Sequence, residues 1–161
     1  MMDIVNEKDE VIGQVQKEDV YKKLLCHRIV HVLIFNDESK LALQLRHPNL
    51  SFAPNHWSTT VGGHVQAGES YEDAAKREMK EEVGIEIPVE YFSKDFYHVD
   101  DQPEKFIVCY KAKYNGPFQI EPEAVVKVEF FTIEEIKSMI EQGEKFHPEL
   151  LFLLKKYFVH E

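Results

Sequence analysis

The sequence has few cysteines and no basic, apolar leader. Its 161 residues include two cysteines, Cys26 and Cys109, which lie far apart and form no CxxC pair. The opening residues MMDIVNEKDE are acidic, whereas a secretion signal begins with basic and then apolar residues. Few, scattered cysteines without such a signal are typical of a reducing compartment. We therefore expect a cytoplasmic protein.

Positive charge is also scarce. The chain has 29 acidic and 19 basic residues and a net charge of −10 at pH 7, which argues against a groove for nucleic-acid polymers. Its longest apolar runs, such as LLFLL at 150–154, are far shorter than the roughly 20 residues that cross a bilayer. The sequence therefore predicts neither a nucleic-acid polymer nor a membrane as partner. The acidic balance is compatible with nucleotides bound through a metal ion.

The length and the apolar content indicate a single domain over residues 1–161. Hydrophobic residues make up 43% of the chain, enough for a sizeable core. The pattern IV, NEKDE, VIGQV predicts a strand–turn–strand hairpin over residues 3–15. HRIVHVLIF, LALQLR and KFIVCYKAK read as strands, and residues 85–91 and 95–99 look like two further strands around Pro88 and a short turn. Helices are predicted over 132–160, where Thr132 and Glu135 have the form of a capping box. We expect an α/β or α+β fold with a mixed β-sheet sandwiched between α-helices.

The segment 62–85, GGHVQAGESYEDAAKREMKEEVGI, places a glycine turn before an acid-rich helix. Ser70 has the form of an N-cap, and Gly84 has the form of a left-handed stop, so the helix should cover residues 71–83. Residues 71, 75, 79 and 83 form an apolar stripe narrow enough to pack on a sheet. The helix is therefore expected to bury this stripe and to present its acids beside it.

Three carboxylates, Glu78, Glu81 and Glu82, share a neighbouring strip of this helix. Their mutual repulsion is relieved if a divalent cation lies among the oxygens, and such hard ligands suit Mg²⁺ or Mn²⁺. The alternative is a solvated acidic face paired with nearby Lys and Arg side chains.

The order of residues over 63–85 decides between these interpretations. Gly63, Glu69 and the run REMKEEVGI at 77–85 resemble the Nudix box at every fixed position. The resemblance implies a Nudix fold and Mg²⁺-dependent attack of water on a pyrophosphate, with Glu78 and Glu82 as principal metal ligands and Glu81 as a third. It also implies a salt bridge between Glu69 and Arg77. A backbone carbonyl near Gly62 or Gly63 could complete the coordination.

The resemblance extends beyond the box: DIVNEKDEVIG, LLCHRIVHVLIFN and HWSTTVGGHVQAGESY, which runs into the box, look like the Nudix branch that contains isopentenyl diphosphate isomerase and its hydrolase-like relatives. The isomerase needs a cysteine at the position occupied here by Gly62, so the hydrolase-like interpretation is preferred. His27 and His64 match positions where the isomerase supplies imidazoles to a metal. A second site favouring Zn²⁺ or Mn²⁺ is therefore a hypothesis, and a histidine that only satisfies backbone groups is the alternative.

Arg46, Trp57 and Glu69 are candidate substrate-binding residues. Arg46 ends a predicted strand, where many Nudix enzymes carry an arginine for phosphate oxygens, but a surface arginine fits the pattern equally well. Trp57 could stack on a base, although an indole just before a strand is more often a core residue. The resemblance also implies a catalytic base outside the box, and the candidates are, in order, Glu123, Glu121 and Glu104.

The predicted activity is hydrolysis of a phosphoanhydride linkage in a nucleoside diphosphate joined to another moiety. The box recognises only the diphosphate and its metal, so nucleoside di- or triphosphates, nucleotide sugars and dinucleotides stay open as substrates. The alternatives are an isopentenyl diphosphate isomerase, a non-catalytic sensor with a Nudix fold, and an interaction module. The apolar face of the last helix must be covered by the sheet or by a partner, and a homodimer is one such arrangement.

Overall fold

Strands and helices follow one another in the computed structural model, which describes residues 1–159. The strands are β1 (Met2–Val5), β2 (Val11–Val15), β3 (His27–Phe35), β4 (Leu41–Arg46), β5 (Trp57–Thr59), β6 (Val61–His64), β7 (Glu90–Tyr97), β8 (Lys105–Lys113) and β9 (Val125–Phe131). The helices are α1 (Lys17–Lys22), α2 (Tyr71–Val83), α3 (Ile133–Glu141) and α4 (Pro148–Tyr157). This confirms the predicted α+β class with a multistranded mixed sheet.

The residues group into two compact units. The first comprises Met1–Val32, Val61–Glu81 and Glu86–Lys111. The second comprises Leu33–Thr60, Glu82–Ile85 and the chain from Ala112 onward. Strand β3 and helix α2 each contribute residues to both units.

The first unit contains the predicted N-terminal hairpin and most of the acid-rich helix. Strands β1 and β2 pair antiparallel, and β3 pairs antiparallel with β6, so that Val30 lies opposite Gly63. Strands β7 and β8 also pair antiparallel. Ala74, Ala75 and Met79 of α2 are fully buried, which confirms the apolar stripe predicted for this helix. The strip that carries Glu78 therefore lies beside a buried face.

The second unit is built around β4, which pairs antiparallel with both β5 and β9. Helix α3 begins with the predicted capping box, in which Thr132 and Glu135 exchange hydrogen bonds. In α4, Leu150, Leu153 and Leu154 are buried, so the chain itself covers much of the apolar face of this helix. The predicted helical range 132–160 ends at residue 160, which lies outside the described residues.

One prediction about the strands is wrong. The segments 85–91 and 95–99 were expected to be separate strands around a turn, but a single strand, β7, runs from Glu90 to Tyr97. Ser93 lies in the expected turn and is a buried polar residue on this strand, so its polarity alone suggested a turn that the structure does not contain. Among residues 1–159 no helix is both long and apolar enough to cross a membrane.

Candidate active site

Helix α2 begins and ends where its sequence signals predict. The backbone N–H of Asp73 donates to the Ser70 hydroxyl at 3.1 Å, which satisfies one of the free donors of the first turn. Gly84 has φ = 72°, the left-handed conformation that ends a helix. These two ends fix the register of the helix. The acids at 78, 81 and 82 consequently occupy its last turns.

Glu78 lies against Gly63, which the structure places in strand β6 and not in the turn predicted before the helix. A Cβ atom placed on Gly63 would lie 2.5 Å from Oε1 of Glu78 and 2.8 Å from Oε2, so only glycine leaves room for this carboxylate. The Glu78 side chain is 14% exposed. Burial, assisted by the nearby charges of Glu81 and Glu69, raises the pKa of Glu78 above its ordinary value even though Arg77 acts in the opposite direction.

Arg77 connects the end of β6, the loop that follows it and the acids of the helix. Its guanidinium donates to both oxygens of Glu69, at 2.7 and 2.9 Å, so the salt bridge implied by the resemblance is present. Nη1 donates to Glu78 at 2.8 Å and to Glu81 at 3.2 Å, and Nη2 donates to the carbonyl oxygen of His64 at 3.0 Å. The hydrogen bond with Glu69 is the main reason that the pKa of Arg77 rises, and it likewise lowers the pKa of Glu69. These hydrogen bonds fix the end of β6 and the following loop relative to the helix.

An open cavity of about 620 Å³ lies beside this network. The cavity is lined by the N-terminal hairpin, the start of α1, the end of β6 with the loop after it, and helix α2. The lining residues are Met1, Met2, Lys17, His64, Gln66, Ala67, Arg77, Glu78 and Glu81. The hairpin is attached to the loop after β6, because Ala67 N–H donates to Met1 O and Gly68 N–H donates to Asp3, each at 3.0 Å. Carboxylates, a guanidinium and an ammonium group thus share one cavity, which suits a charged, phosphorylated ligand.

The donor chemistry of this cavity suits a hard divalent cation. Glu78 and Glu81 supply carboxylate oxygens, and the Glu78 carboxylate lies close to Gly63 of β6. Within residues 1–159, however, no three His, Cys, Asp or Glu side chains are already gathered as a metal-binding group. Arg77 neutralises Glu78 and Glu81 in this arrangement, so a cation would compete with Nη1 of Arg77 for their oxygens.

His27 and His64 lie together, as their proposed role in a second metal site requires. Their rings stack with centroids 5.5 Å apart. Nδ1 of His27 is 3.1 Å from the carbonyl oxygen of Leu25, and Nε2 of His64 is 2.5 Å from the hydroxyl of Tyr21. The contact between His27 and Leu25 fits the alternative of a histidine that satisfies a backbone group. The second metal site stays a prediction.

Glu82 and Arg46 belong to the second unit. The Glu82 carboxylate acts electrostatically on Arg46, while burial lowers the pKa of the Arg46 guanidinium. Arg46 uses Nε and Nη2 to donate to the backbone carbonyls of Phe52 and Ala53, at 2.8 to 3.2 Å. Arg46 therefore supports the loop that follows it, a role that the sequence does not predict. Its binding of phosphate stays a prediction.

Trp57 is a core residue of the second unit. It is 7% exposed, its ring meets Phe131 edge-on with centroids 5.1 Å apart, and its Nε1 donates to Glu144 at 3.3 Å. This matches the core interpretation of Trp57 rather than an exposed stacking surface.

The candidate bases lie in two places. Glu121 and Glu123 are exposed in the turn before β9, whose first residue, Val125, pairs with Arg46. That turn therefore adjoins the Arg46 end of β4. Glu104, the third candidate, belongs to the first unit and pairs with His98 at 3.2 Å.

Comparison with known proteins establishes the family. The profile of the NUDIX domain matches residues 26–154. The chain belongs to the Nudix family. A Nudix hydrolase of Deinococcus radiodurans is 30% identical over 166 residues, which cover 99% of this chain and 95% of that protein. The Escherichia coli K12 protein called uncharacterized Nudix hydrolase YfcD is 32% identical over 151 residues, which cover 93% of this chain and 82% of that protein.

The fold of this Nudix hydrolase also matches solved structures. The crystal structure of DR0079 from Deinococcus radiodurans superposes with a TM-score of 0.82 at 27% identity, over 98% of this chain and 99% of that chain. The family and the hydrolase relatives confirm a Nudix pyrophosphohydrolase, and Nudix hydrolases act on small-molecule substrates. Nudix hydrolases generally need a divalent metal ion. The isomerase alternative is not favoured.

Sequence reasoning missed part of the cavity of this Nudix hydrolase. Met2 and Lys17 line the cavity although they lie more than 45 residues before the box. One feature of the sequence does point to Lys17: a lysine at the first position of a helix is unfavourable because its charge opposes the helix dipole. No local pattern predicts that the hairpin folds back onto the loop at 66–68.

Proposed function

We propose that this Nudix hydrolase uses Mg²⁺, with Mn²⁺ as an alternative, to hydrolyse the phosphoanhydride bond of a nucleoside diphosphate joined to another moiety. The observation that carries the proposal is the position of the Glu78 carboxylate, which fills the space beside Gly63 where a side chain would otherwise lie. It borders a cavity that is lined by both acidic and basic side chains. A structural acidic face would have no need for a glycine that leaves space for one carboxylate.

Glu78, Glu81 and Glu82 are the side chains that would hold the ion, together with a backbone carbonyl near Gly63. Carboxylate and carbonyl oxygens are the ligands that Mg²⁺ and Mn²⁺ prefer. When bound, the ion neutralises diphosphate charge and makes water a better nucleophile. Arg77 would support the metal site by holding the loop at Glu69. Its two hydrogen bonds to Glu69 use Nε and Nη2, so they would persist if the ion replaced Nη1 at Glu78 and Glu81.

The proton of the attacking water needs an acceptor within hydrogen-bond reach. We assign this role to Glu123, with Glu121 as the second candidate. Both are exposed carboxylates in the turn that adjoins the Arg46 end of β4, and Arg46 in turn experiences the charge of Glu82. Arg46 would hold phosphate oxygens with the part of its guanidinium that faces away from the loop carbonyls.

The remaining parts of the proposal concern the setting of the reaction. The net charge of −10 supports a small-molecule substrate rather than a nucleic-acid polymer, and the scattered cysteines support a cytoplasmic location. A homodimer and a second metal site at His27 and His64 also belong to the proposal. Sedimentation would test the first of these, and metal content after substitution of both histidines would test the second.

Replacement of Glu82 by glutamine tests the proposed reaction. With Mg²⁺ and a panel of nucleoside diphosphate derivatives, phosphate release by Glu82→Gln should fall by roughly two orders of magnitude or more, because one metal ligand loses its charge. The melting temperature should stay within about two degrees, because a partly exposed ligand contributes little to the core.

Glu72→Gln is the matched control, since Glu72 is an exposed acid of the same helix that forms an ion pair with Lys76 at 3.9 Å. This control should keep wild-type turnover. Near-normal turnover of Glu82→Gln, or a wild-type protein that cleaves no compound of the panel with Mg²⁺ or Mn²⁺, would contradict the proposal.

A further inference from the structure

Phe52 is an exposed aromatic residue in the loop between β4 and β5. Its side chain is 57% exposed, whereas Trp57, the other aromatic residue near this loop, is 7% exposed. Exposed aromatic side chains on loops that enter an active site often contact ligands, because a planar ring offers contact area at a low cost in conformational entropy. Single exposed apolar residues are also common and need no function. The contacts that Phe52 makes therefore decide whether it is a ligand-binding candidate.

The ring of Phe52 is held in place by two neighbours. Arg46 donates to the carbonyl of Phe52 through Nη2 at 2.8 Å and through Nε at 3.2 Å, and its guanidinium carbon lies 6.0 Å from the centre of the ring. The ring of His147 meets Phe52 edge-on, with centroids 5.4 Å apart. His147 is itself fixed, because it caps helix α4 and accepts from the backbone of Glu149 at 3.2 Å. Phe52 is therefore a fixed exposed ring.

The backbone beside Phe52 adopts conformations that cost free energy. Ala53 has φ = 48° and Asn55 has φ = 59°, in the left-handed region that residues with a side chain rarely adopt. Each such residue costs on the order of 1 kcal/mol, and such strain is concentrated at ligand-binding sites. This conformation aims the carbonyls of Phe52 and Ala53 at Arg46.

Phe52 also lies at a suitable place relative to the proposed chemistry. Arg46, which contacts Phe52, experiences the charge of Glu82, one of the proposed metal ligands. In a nucleoside diphosphate a ribose separates the base from the diphosphate. A surface for the base must consequently lie next to the groups that bind the diphosphate and outside them. Phe52 fits this requirement because Arg46 both contacts Phe52 and experiences the charge of Glu82.

We infer that Phe52 is the stacking surface for the base of the substrate, a specificity residue that selects nucleoside diphosphates over diphosphates without an aromatic group. The inference rests on the proposed function, because it assigns the site for the base of that substrate. Stacking on an aromatic side chain recognises the face of any base and needs no hydrogen bond to its edge. The site should accordingly accept several different bases.

Binding of AMP and of ribose 5-phosphate tests the inference without catalysis. These probes share a sugar phosphate, neither contains a phosphoanhydride bond, and only AMP carries a base. By calorimetry, wild-type protein should bind AMP roughly tenfold more tightly than ribose 5-phosphate, since stacking of one base contributes about 1–3 kcal/mol. Phe52→Ala should remove this difference, and Phe52→Trp should keep it. In both variants the affinity for ribose 5-phosphate should change less than about twofold.

Tyr91→Ala is the matched control, because Tyr91 is an aromatic residue with 60% exposure on β7 of the other unit. It should bind both probes as the wild type does. Equal affinity of the wild type for the two probes, or an unchanged preference in Phe52→Ala, would overturn the inference. An equal loss of both probes in Phe52→Ala would also overturn it, because it would show a purely structural role.

Hydrolysis assays separate the two proposals. If Phe52→Ala raises KM for a nucleoside diphosphate derivative about tenfold and leaves kcat within about threefold, stacking and the proposed reaction are both supported. If the wild type prefers AMP and loses this preference in Phe52→Ala but cleaves no diphosphate, the stacking site stands and the proposed reaction fails. If the wild type cleaves diphosphates with and without a base equally well, the stacking inference fails alone.

Discussion

The carboxylate of Glu78 occupies the space in which any residue other than glycine at position 63 would place its Cβ. Such a Cβ would lie 2.5 Å from Oε1 of Glu78, far inside van der Waals contact. Gly63 is part of β6 and is not among the glycines with positive φ, so the strand conformation itself would accept alanine. Glycine is needed at this position for space, not for backbone freedom.

Gly63→Ala should therefore move the Glu78 carboxylate while the strand stays intact. A displacement of about 1 Å at a catalytic group can cost roughly a hundredfold in rate, so we expect kcat to fall by that order. Gly62→Ala is the comparison, because a Cβ there would meet the ring of His31 at an ordinary 3.4 Å. It should change kcat less than about threefold. Steady-state kinetics with Mg²⁺ would measure both, and equal effects of the two substitutions would refute the spatial argument.

Local patterns predicted the elements that carry the chemistry. Ser70 and Gly84 marked the two ends of α2, and the stripe that includes Ala75 and Met79 marked its buried face, because capping and periodicity depend only on neighbours in the chain. The bridge between Glu69 and Arg77 followed from the family resemblance. These features are encoded within about twenty consecutive residues.

Other features depend on contacts between distant segments, which no local pattern encodes. Arg46 was expected to bind phosphate, but it also supports the loop at Phe52 and Ala53 through carbonyls whose position depends on the loop conformation. Ser93 is polar, which suggests a turn, but it is buried in β7, and the sequence around one polar residue does not reveal whether it is buried. Lys17 reaches the cavity only through the packing of the hairpin against the loop after β6. Tertiary structure determines all three.

Asp9 connects the N-terminal hairpin to three other elements of the first unit. Its carboxylate accepts from Arg28 at 2.6 Å, from Lys94 at 2.6 Å and from the hydroxyl of Tyr71 at 2.8 Å. Burial alone would raise the pKa of Asp9, but the hydrogen bonds from Lys94, Arg28 and Tyr71 outweigh it and lower the pKa below the ordinary 3.8. Tyr71 is the first residue of α2, so Asp9 fixes the hairpin to the start of the helix that carries the proposed metal ligands.

Asp9→Asn should destabilise the protein at neutral pH and less so in acid. Because the pKa of Asp9 is lower in the folded state, its contribution is fully present above the unfolded pKa of about 4 and disappears as pH falls through the folded value. Urea unfolding at pH 7 should show a loss of about 1–3 kcal/mol, the cost of removing hydrogen bonds to a charged group. This loss should shrink steadily below pH 4.

Asn tolerates the left-handed backbone of Asp9, which has φ = 62°, so the substitution changes charge and not conformation. Asp101→Asn is the matched control, since Asp101 is exposed and has φ = 65°. It should change the free energy of unfolding by less than about 0.5 kcal/mol at either pH. A deficit of Asp9→Asn that stays constant from pH 7 to pH 3 would be inconsistent with a lowered pKa.

Lys17 places an ammonium group in the wall of the cavity that contains Glu78 and Glu81. It is the first residue of α1, where a positive charge opposes the helix dipole, so the stability of this short helix does not explain it. The phosphate groups of a diphosphate carry the charge that would complement Lys17. Lys17 is therefore expected to bind the phosphate that lies away from the carboxylates.

Lys17→Ala should raise KM about tenfold and leave kcat within about threefold, because a charge-assisted hydrogen bond made equally to substrate and transition state contributes to binding alone. Lys17→Arg should restore most of the affinity, since its guanidinium also binds phosphate. Lys22→Ala, at the other end of the same helix and outside the cavity wall, should keep the wild-type KM. Kinetics at fixed ionic strength would measure all three variants. Equal KM values for Lys17→Ala and Lys22→Ala would show that Lys17 does not meet the substrate.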